Sequence, residues 1–203
     1  MVLAEIHQPI FYTPLSANKV ESIRVAIAHL EAIVINPGEI FSFWEIIGRP
    51  TAKRGFKPGR TIIGGGLQED VGGGLCQVSG MVYHLALTTG MTILERHSHT
   101  LDLYAEDDRY TPLGADAAVV FGYKDLRFEN SLDEPVHLTF SVDENSFAGR
   151  LHSTRAFSTH EIVFERADSD TYRTVSVHRR SPGGAPESLG RSTYSIRGAD
   201  FRA

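Results

Sequence analysis

Apolar residues recur at helical spacing in two segments of the chain. The first predicted helix begins at Asn18, which is placed to cap it, with Glu21 three residues further on. The second predicted helix runs from Gln77 to Thr89, begins beside Cys76 and ends before Gly90. The two buried faces consist of Val20, Ile23, Ile27 and Leu30 in the first helix, and Val78, Val82, Leu85 and Ala86 in the second.

Most of the remaining pattern predicts β-strands. Residues 136–142 (VHLTFSV) alternate like a half-buried strand, and a turn at residues 143–145 leads to a hairpin partner at 147–153. Further strands are predicted at residues 40–43, 61–63, 116–121, 162–165 and 174–178. This order predicts a single α+β domain, in which a Cys-bearing helix and a second helix pack on a mostly antiparallel sheet. Such an arrangement is loosely reminiscent of transglutaminase-like and papain-like cores.

Length and composition suggest how the chain is divided. With 203 residues it suits one domain that can bury a core without disulfides. We predict an N-terminal extension and helix over residues 1–34, a core over 35–142, and additional strands over 143–180. Residues 181–203 are predicted to be a flexible tail, because SPGGAPESLGRS lacks core-forming side chains.

Charge and hydropathy narrow the expected partners and compartment. A net charge of -5 argues against nucleic acid as a partner. No run of eighteen apolar residues occurs and the N-terminus does not resemble a signal peptide, so we expect a cytoplasmic chain without a membrane span. The single cysteine cannot form an internal disulfide, which leaves Cys76 as a free thiol.

The stretch from Gly64 to His99 carries the candidate chemistry. A cysteine at a helix N-terminus meets the macrodipole and free backbone N–H groups, which favour the thiolate. Gly73 and Gly74 leave those N–H groups unhindered for a developing oxyanion, and Gln77 adds a side-chain donor. The pattern predicts Cys76 as a nucleophile, provided that a base lies within reach.

Two histidines and an aspartate are the candidate partners of this thiol. His97 and His99 are two residues apart, so on a strand they share a face. Asp116 begins the next apolar run, and a neighbouring antiparallel strand would bring it beside one of them. Nucleophile, base and orienting carboxylate then follow in the order known from transglutaminase-like and papain-type cysteine enzymes. The sequence leaves open which histidine is the base.

Other interpretations use the same residues. Cys76 among glycines and apolar residues also fits an inert core residue. Cys76, His97, His99 and Asp116 are four suitable ligand types for zinc, although their spacing matches no standard zinc site. The Gly triplets lack the lysine of a phosphate-binding loop. We therefore expect no cofactor.

Several segments together resemble the VanW family. They are NPGEIFSFWEIIGRPTAKRGFKPGRTIIGGG, GGGLCQVSGMVYHLAL, ERHSHT and DAAVVFGYKDLRFEN, which occur in this order over residues 35–142. Two departures from the family pattern are Gly114-Ala115-Asp116 in place of Gly-Arg-Asp, and Ser79-Gly80 in place of Ser-Ser or Ser-Thr. Many members of the family are associated with the cell envelope.

The resemblance implies a ligand related to cell-wall peptides, because the family is named for an accessory protein of vancomycin-resistance gene clusters. The first hypothesis is thiol-dependent acyl transfer or amide hydrolysis on a peptide-like substrate. The second is a non-catalytic domain that binds a cell-wall precursor or a glycopeptide. In that case Arg54, Lys57 and Arg60 would bind carboxylates, and the Gly-rich loops would supply backbone hydrogen bonds.

Overall fold

The computed structural model describes residues 1–63, 66–102, 104, 106, 109–181 and 183–196, and of residues 60–63 and 66–69 the backbone only. Within this part of the chain the helices are Ser16–Glu31 (α1), Phe43–Ile47 (α2) and Leu75–Thr88 (α3), with a 3-10 turn at Ala52–Arg54. The strands are Val2–Pro9 (β1), Val34–Ile35 (β2), Ile40–Ser42 (β3), Pro58–Ile63 (β4), Gly66–Val71 (β5), Thr92–Glu95 (β6), Leu101–Asp102 (β7), Arg127–Glu129 (β8), Val136–Val142 (β9), Ser146–Ser153 (β10), Glu161–Asp168 (β11), Tyr172–Arg180 (β12) and Glu187–Ile196 (β13).

The strands form four small sheets. Two have four strands, in the orders β1-β10-β9-β2 and β11-β12-β13-β7, a third has the order β3-β8-β6, and β4 pairs with β5 alone. In the described residues the pairing of β13 with β7 is parallel and the other ladders are antiparallel. The predicted α+β class with mostly antiparallel sheets is confirmed.

Helices α1 and α3 contact each other and pack on the β1-β10-β9-β2 sheet. The predicted apolar faces of both helices are buried. The predicted cap at Asn18 is wrong, because α1 begins two residues earlier at Ser16. Ser16 Oγ accepts the Thr13 N–H at 2.7 Å and fixes this start, while Asn18 Nδ2 donates to the carbonyl of Pro58 at 3.1 Å.

The hairpin predicted from the alternating pattern is formed by β9 and β10. Phe147 pairs with Val142 next to the turn, and the register continues to Ser153 and Val136. At the turn, Asp143 Oδ1 accepts the backbone N–H of Asn145 at 2.8 Å. Local turn chemistry and alternation therefore agree here, which is why this part of the prediction is confirmed.

Two predicted segments have a different structure. The run at 116–121 is a loop, apart from an isolated bridge between Val120 and Lys124, and the segment at 96–99 that follows β6 is not a strand either. The β6–β8 ladder contains a register shift between Ile93 and Glu95 and ends at Glu95. The strict alternation that the prediction assumed is therefore lost before His97.

The segment predicted to be a flexible tail contains the longest strand of the second sheet. Strand β13 pairs with β12 from Glu187 to Ser195. Ser192 and Tyr194 alternate toward the interior and are only 6% and 1% exposed. Their burial stabilises a strand whose overall composition is polar, so composition alone gave the wrong expectation for residues 187–196. Residues 182 and 197–203 of the predicted tail lie outside the described part of the chain.

No helix in the described ranges combines the length and the apolar character that a membrane span needs.

Candidate active site

Helix α3 presents one face to the loop that contains Asp116. Residues three, four and seven positions apart lie on the same side of a helix; on this side of α3 they are Cys76, Ser79, Gly80 and Tyr83. Ser79 Oγ donates to the carbonyl of Ala117 at 2.6 Å. Gly80 packs beside the loop, and a Cβ built there would lie 3.5 Å from the carbonyl oxygen of Ala115, an ordinary van der Waals distance. The helix thus fixes the backbone on both sides of Asp116.

Asp116 is buried and both of its carboxylate oxygens are hydrogen-bonded. Oδ2 accepts the His99 Nδ1 at 2.7 Å and the His99 backbone N–H at 2.8 Å. Oδ1 accepts the Arg96 Nη2 at 2.8 Å and the Tyr194 hydroxyl at 2.6 Å. Burial acts to raise the pKa of this carboxyl, but the bond from His99 and the charge of Arg96 outweigh it and hold the pKa well below its usual range. Asp116 is therefore ionised.

Arg96 holds the Asp116 loop with its whole guanidinium. Nε donates to the Asp116 carbonyl at 2.7 Å and Nη2 to the Gly114 carbonyl at 3.2 Å, while Nη1 donates to Ser192 Oγ. Its guanidinium carbon lies 5.1 Å from the centre of the Tyr83 ring. One planar side chain thus connects α3, the Asp116 loop and β13, a geometry that lysine does not reproduce.

His99 connects Asp116 to the thiol of Cys76. Its Nδ1 is hydrogen-bonded to Asp116, which leaves Nε2 free to face the thiol, while Cys76 Sγ lies 3.8 Å from the Val119 carbonyl oxygen to which it donates. Burial acts to lower the pKa of His99, but its bonds to Asp116 and Cys76 raise it to about 10. Burial likewise acts to raise the pKa of Cys76, yet the hydrogen bond and charge of His99 lower it below its ordinary value. Both shifts favour the thiolate and the imidazolium over the neutral pair.

The start of α3 leaves a backbone donor beside the sulfur. The N–H groups of Leu75 and Gln77 donate to the carbonyls of Gly72 and Gly74 at 3.3 and 3.0 Å. Among the hydrogen bonds of the described residues, none uses the N–H of Cys76. This N–H belongs to the first turn of the helix, where no intrahelical acceptor exists. It is therefore a candidate donor for an oxyanion.

A family model described as VanW like protein matches residues 18–152. The chain belongs to the VanW family. It is 30% identical over 168 residues to the vancomycin B-type resistance protein VanW of Enterococcus faecalis, an alignment that covers 80% of this chain and 61% of the relative. It is 36% identical over 166 residues to the uncharacterized protein YoaR of Bacillus subtilis, covering 81% of this chain and 53% of the relative. No solved structure matches the chain.

This VanW-family chain thus spans between about half and three fifths of the length of these curated relatives. The range matched by the family model is wider than the predicted core of 35–142 and includes Cys76, Arg96, His99 and Asp116. Strand β13, which supplies Tyr194, lies outside that range.

The two histidines of the VanW segment ERHSHT have different surroundings. His97 Nε2 lies 2.9 Å from Glu95 Oε1, and its side chain is 37% exposed. His99 alone contacts Asp116. Within the described ranges, no three His, Cys, Asp or Glu side chains are grouped so that they could hold a metal ion, and this geometry does not support the zinc interpretation.

Gln77 does not supply the predicted oxyanion donor. Its side chain is buried and its Nε2 donates to the carbonyl of Pro9 at 3.1 Å. The amide therefore ties α3 to the end of β1, because helix residue 77 points toward the sheet while residue 76 points toward the Asp116 loop. The backbone N–H of Cys76 replaces Gln77 as the candidate donor.

The two glycines predicted to contact substrate have backbone roles. Gly74 is the N-cap of α3 with φ 99°, a conformation that favours glycine. Gly73 is buried, and a Cβ built on it would lie 2.4 Å from the Cα of Gly59 in β4. Glycine at 59 and 73 thus lets the β4–β5 hairpin approach the start of α3.

Arg54 lies away from the Cys76–His99 pair. Its guanidinium donates to the Arg49 carbonyl at 2.8 Å and lies 3.2 Å from His29 Nε2. Lys19 packs beside Gly74 at the start of α3. His29 lies ten residues further along α1, and ten helical residues extend about 15 Å. Arg54 therefore lies at the other end of α1 from the start of α3. Arg60 is in β4, and its side chain is outside the described part of the chain.

Sequence reasoning missed Arg96, Ser192, Tyr194 and a half-buried lysine beside Gly74 at the start of α3. Lys19 Nζ lies 5.5 Å from the centre of the Tyr110 ring, and burial lowers the pKa of Lys19 to about 8. Arg96 stands inside ERHSHT, and its position directly before His97 was the available indication. The alternation of Ser192, Tyr194 and Ile196 was the corresponding indication for β13.

Proposed function

We propose that this VanW-family chain catalyses thiol-dependent acyl transfer or amide hydrolysis on a peptide-like substrate. Cys76 is the nucleophile, His99 is the general acid and base, and Asp116 orients His99. The observation that carries the proposal is the double hydrogen bond of His99 to Asp116 Oδ2, together with the interaction of His99 with Cys76 that raises the pKa of the imidazole and lowers that of the thiol.

The first half of the reaction forms an acyl-enzyme. The Cys76 thiolate attacks the substrate carbonyl carbon, a C–S bond forms, and the carbonyl π electrons move to the oxygen. The Cys76 backbone N–H donates to this oxyanion. His99 Nε2 then gives its proton to the leaving amine, the C–N bond breaks, and a thioester remains with neutral His99.

The second half transfers the acyl group to water or to an acceptor amine. Neutral His99 removes a proton from the acceptor, the acceptor attacks the thioester carbon, and the C–S bond breaks. The products are the carboxylic acid or a new amide, together with the restored Cys76 thiolate and protonated His99. Hydrolysis and transfer therefore differ only in the acceptor that reaches His99.

Arg96 and Tyr194 support these steps as positioning residues. Both donate to Asp116 Oδ1, so that Oδ2 remains directed at His99. Neither residue has a hydrogen bond to Cys76. Their contribution is to keep Asp116 ionised and in one orientation, which holds the imidazole in line with the sulfur.

The proposed substrate class follows from the relatives. The VanW protein of Enterococcus faecalis is described as a vancomycin B-type resistance protein, which links the family to glycopeptide resistance. Vancomycin-type resistance concerns peptides of the cell wall, so we propose a cell-wall-related peptide as the substrate. The competing binding-domain hypothesis assigned carboxylate binding to Arg54, Lys57 and Arg60 and backbone hydrogen bonds to the Gly-rich loops. Of these residues, Arg54 makes its contacts elsewhere.

The proposal is tested by acylation with N-acetyl-alanine thiophenyl ester, followed by intact mass spectrometry at pH 6.5. We expect an adduct on the wild type and on His97→Gln, which is the matched control because His97 is exposed and two residues away. Cys76→Ala should form no adduct. His99→Gln should react about 100-fold more slowly, because an ordinary thiol with a pKa of about 8.5 is only about 1% ionised at this pH. Equal rates for the two histidine variants would reject the proposed roles.

A further inference from the structure

We propose that Lys19 is a specificity-determining residue, which binds a carboxylate of the peptide-like substrate beside the start of α3. This inference rests on the proposed function, because it places the carboxylate near the proposed nucleophile Cys76. It goes further by naming a charged group on the substrate and the side chain that recognises it.

The stem of Lys19 packs against the start of α3. A Cβ built on Gly74, the N-cap of α3, would lie 3.0 Å from Lys19 Cγ. Because Gly74 has no side chain, the lysine lies directly against the backbone at this point. Gly74 precedes Cys76 by two residues, which is about 3 Å along a helix axis. The Lys19 side chain therefore runs past the end of the helix that presents the thiol.

The far end of Lys19 lies over the ring of Tyr110. Nζ is 5.5 Å from the ring centre, within the range of a cation–π contact. Burial raises the pKa of the Tyr110 hydroxyl, and the charges of Tyr104 and Cys76 raise it further. Tyr110 thus neighbours both the ammonium group and the thiol, which brings Lys19 close to the path of a substrate bound at Cys76.

Lys19 carries a charge that has no anionic partner in the described residues. Glu21, the acidic residue closest to it along α1, is paired with Arg24, and Asp70 Oδ1 accepts the Val71 N–H at 2.7 Å. The Lys19 side chain is half-buried, and burial lowers its pKa to about 8, so it is still mostly protonated at pH 7. Lysines are rarely buried unless they are paired. An anion from outside the chain would supply the partner.

The ammonium group is accessible to such an anion. Some polar atoms of the described residues are sealed from solvent without a partner, such as His84 Nδ1 and Gln77 Oε1, but Lys19 Nζ is not one of them. A single ammonium matches the single charge of a carboxylate. A phosphate would bring a second negative charge toward the Cys76 thiolate, so a carboxylate is the better fit.

Lys19 binds substrate in this account and does not activate the nucleophile. Burial acts to raise the pKa of Cys76, and His99, the Val119 carbonyl and Asp116 are the groups that act on it besides burial. Removal of the Lys19 charge should therefore change the affinity for carboxylates and leave the thiol pKa as it is.

The test compares ligands that differ only in one carboxylate. The first pair is N-acetyl-alanyl-alanine and its C-terminal amide, and the second is N-acetyl-glutamyl-alaninamide and N-acetyl-glutaminyl-alaninamide. Affinities are measured by NMR titration of Cys76→Ala at pH 7. We expect one carboxylate probe to bind at least about 10-fold more tightly than its amide, as for one charge-assisted hydrogen bond. The pair that shows this preference tells a terminal carboxylate from a side-chain carboxylate. Equal affinities within both pairs would overturn the proposal.

Lys19→Met in the same background removes the charge and keeps an apolar stem, so it should reduce the preference to about twofold or less. Lys19→Gln is a second neutral variant with the same expected result. Lys53→Met is the matched control, since Lys53 is exposed in the 3-10 turn, and it should keep the preference. The preference is a ratio measured on one folded protein, so a loss of stability alone does not change it. A preference that survives both Lys19 variants, or that Lys53→Met removes equally, would overturn the assignment to Lys19.

Failure of the proposed function has a different result, namely that no acyl-enzyme forms with the thiophenyl ester. The binding ratio is measured on Cys76→Ala and needs no acylation, so the two outcomes are independent. Alkylation by iodoacetamide of Lys19→Met with Cys76 in place should give the wild-type thiol pKa. A raised thiol pKa in that variant would show that Lys19 acts on the nucleophile, and would overturn its role as a substrate contact alone.

Discussion

His99 and Asp116 are joined by two hydrogen bonds to a single oxygen. Asp116 Oδ2 accepts both the imidazole Nδ1 of His99, at 2.7 Å, and the backbone N–H of His99, at 2.8 Å. The backbone bond fixes the position of the residue and the side-chain bond fixes the orientation of the ring. Together they place the proton-bearing Nδ1 on the carboxylate and leave Nε2 for the sulfur of Cys76.

The pH dependence of stability reports on the Cys76–His99 pair. In the unfolded chain an ordinary histidine loses its proton near pH 6.5 and an ordinary thiol near pH 8.5, so the two groups together hold about one proton between these values. In the folded chain the raised pKa of His99, about 10, keeps the imidazole proton bound, while the lowered pKa of Cys76 favours release of the thiol proton. The two shifts therefore change the slope of stability against pH in opposite directions in this window.

Cys76→Ser should make the unfolding free energy fall with pH. His99 keeps its bond to Asp116, so its raised pKa leaves one proton on the folded chain that the unfolded chain has lost. The stabilisation is fully present below about pH 6.5 and declines above it by up to about 1.4 kcal/mol per pH unit. Urea unfolding at three pH values across the window measures the slope, and a slope equal to that of the wild type would contradict the charge assignment.

Arg96→Lys should destabilise the fold and slow acylation together. Lysine keeps the charge but cannot bond at once to Asp116, Gly114 and Ser192, so we expect a loss of about 2 kcal/mol and acylation about 10-fold slower. Arg24→Lys is the control, because the Arg24–Glu21 pair is half exposed and contributes less than about 1 kcal/mol. Chemical denaturation measures the loss of stability, and the mass-spectrometric assay measures the acylation rate. Equal stability and equal acylation rates for Arg96→Lys and Arg24→Lys would show that the guanidinium geometry of Arg96 is unimportant.

The sequence was sufficient where local and tertiary preferences agree. The faces of α1 and α3 and the β9–β10 hairpin follow from periodicity and residue type, and residue type also singled out Cys76, Asp116 and two histidines without choosing between them. It was insufficient where a residue is positioned by long-range contacts: the β6 ladder ends at Glu95, so His97 and His99 do not share a strand face, and Gln77 turns toward Pro9. Tyr194 was missed because burial of two side chains outweighs the polar composition of β13.

Two glycines of the central stretch should respond in opposite ways to alanine. At Gly80, in the middle of α3, the nearest atom to a new Cβ is 3.5 Å away, so Gly80→Ala should stabilise the protein by about 0.5–1 kcal/mol. At Gly73 the new Cβ would lie 2.4 Å from the Cα of Gly59, so Gly73→Ala should cost about 2 kcal/mol or more. Thermal unfolding compares them, and the same sign for both would contradict the packing described.

The thiol pKa of Cys76 tests the central claim most directly. Cys76 is the only cysteine, so the pH-dependent rate of alkylation by iodoacetamide reports this thiol alone. We predict an apparent pKa clearly below the ordinary value of about 8.5 for the wild type and for His97→Gln, and a return toward that value in His99→Gln. A wild-type pKa at or above about 8.5, unchanged in His99→Gln, would contradict a thiolate–imidazolium pair at this site.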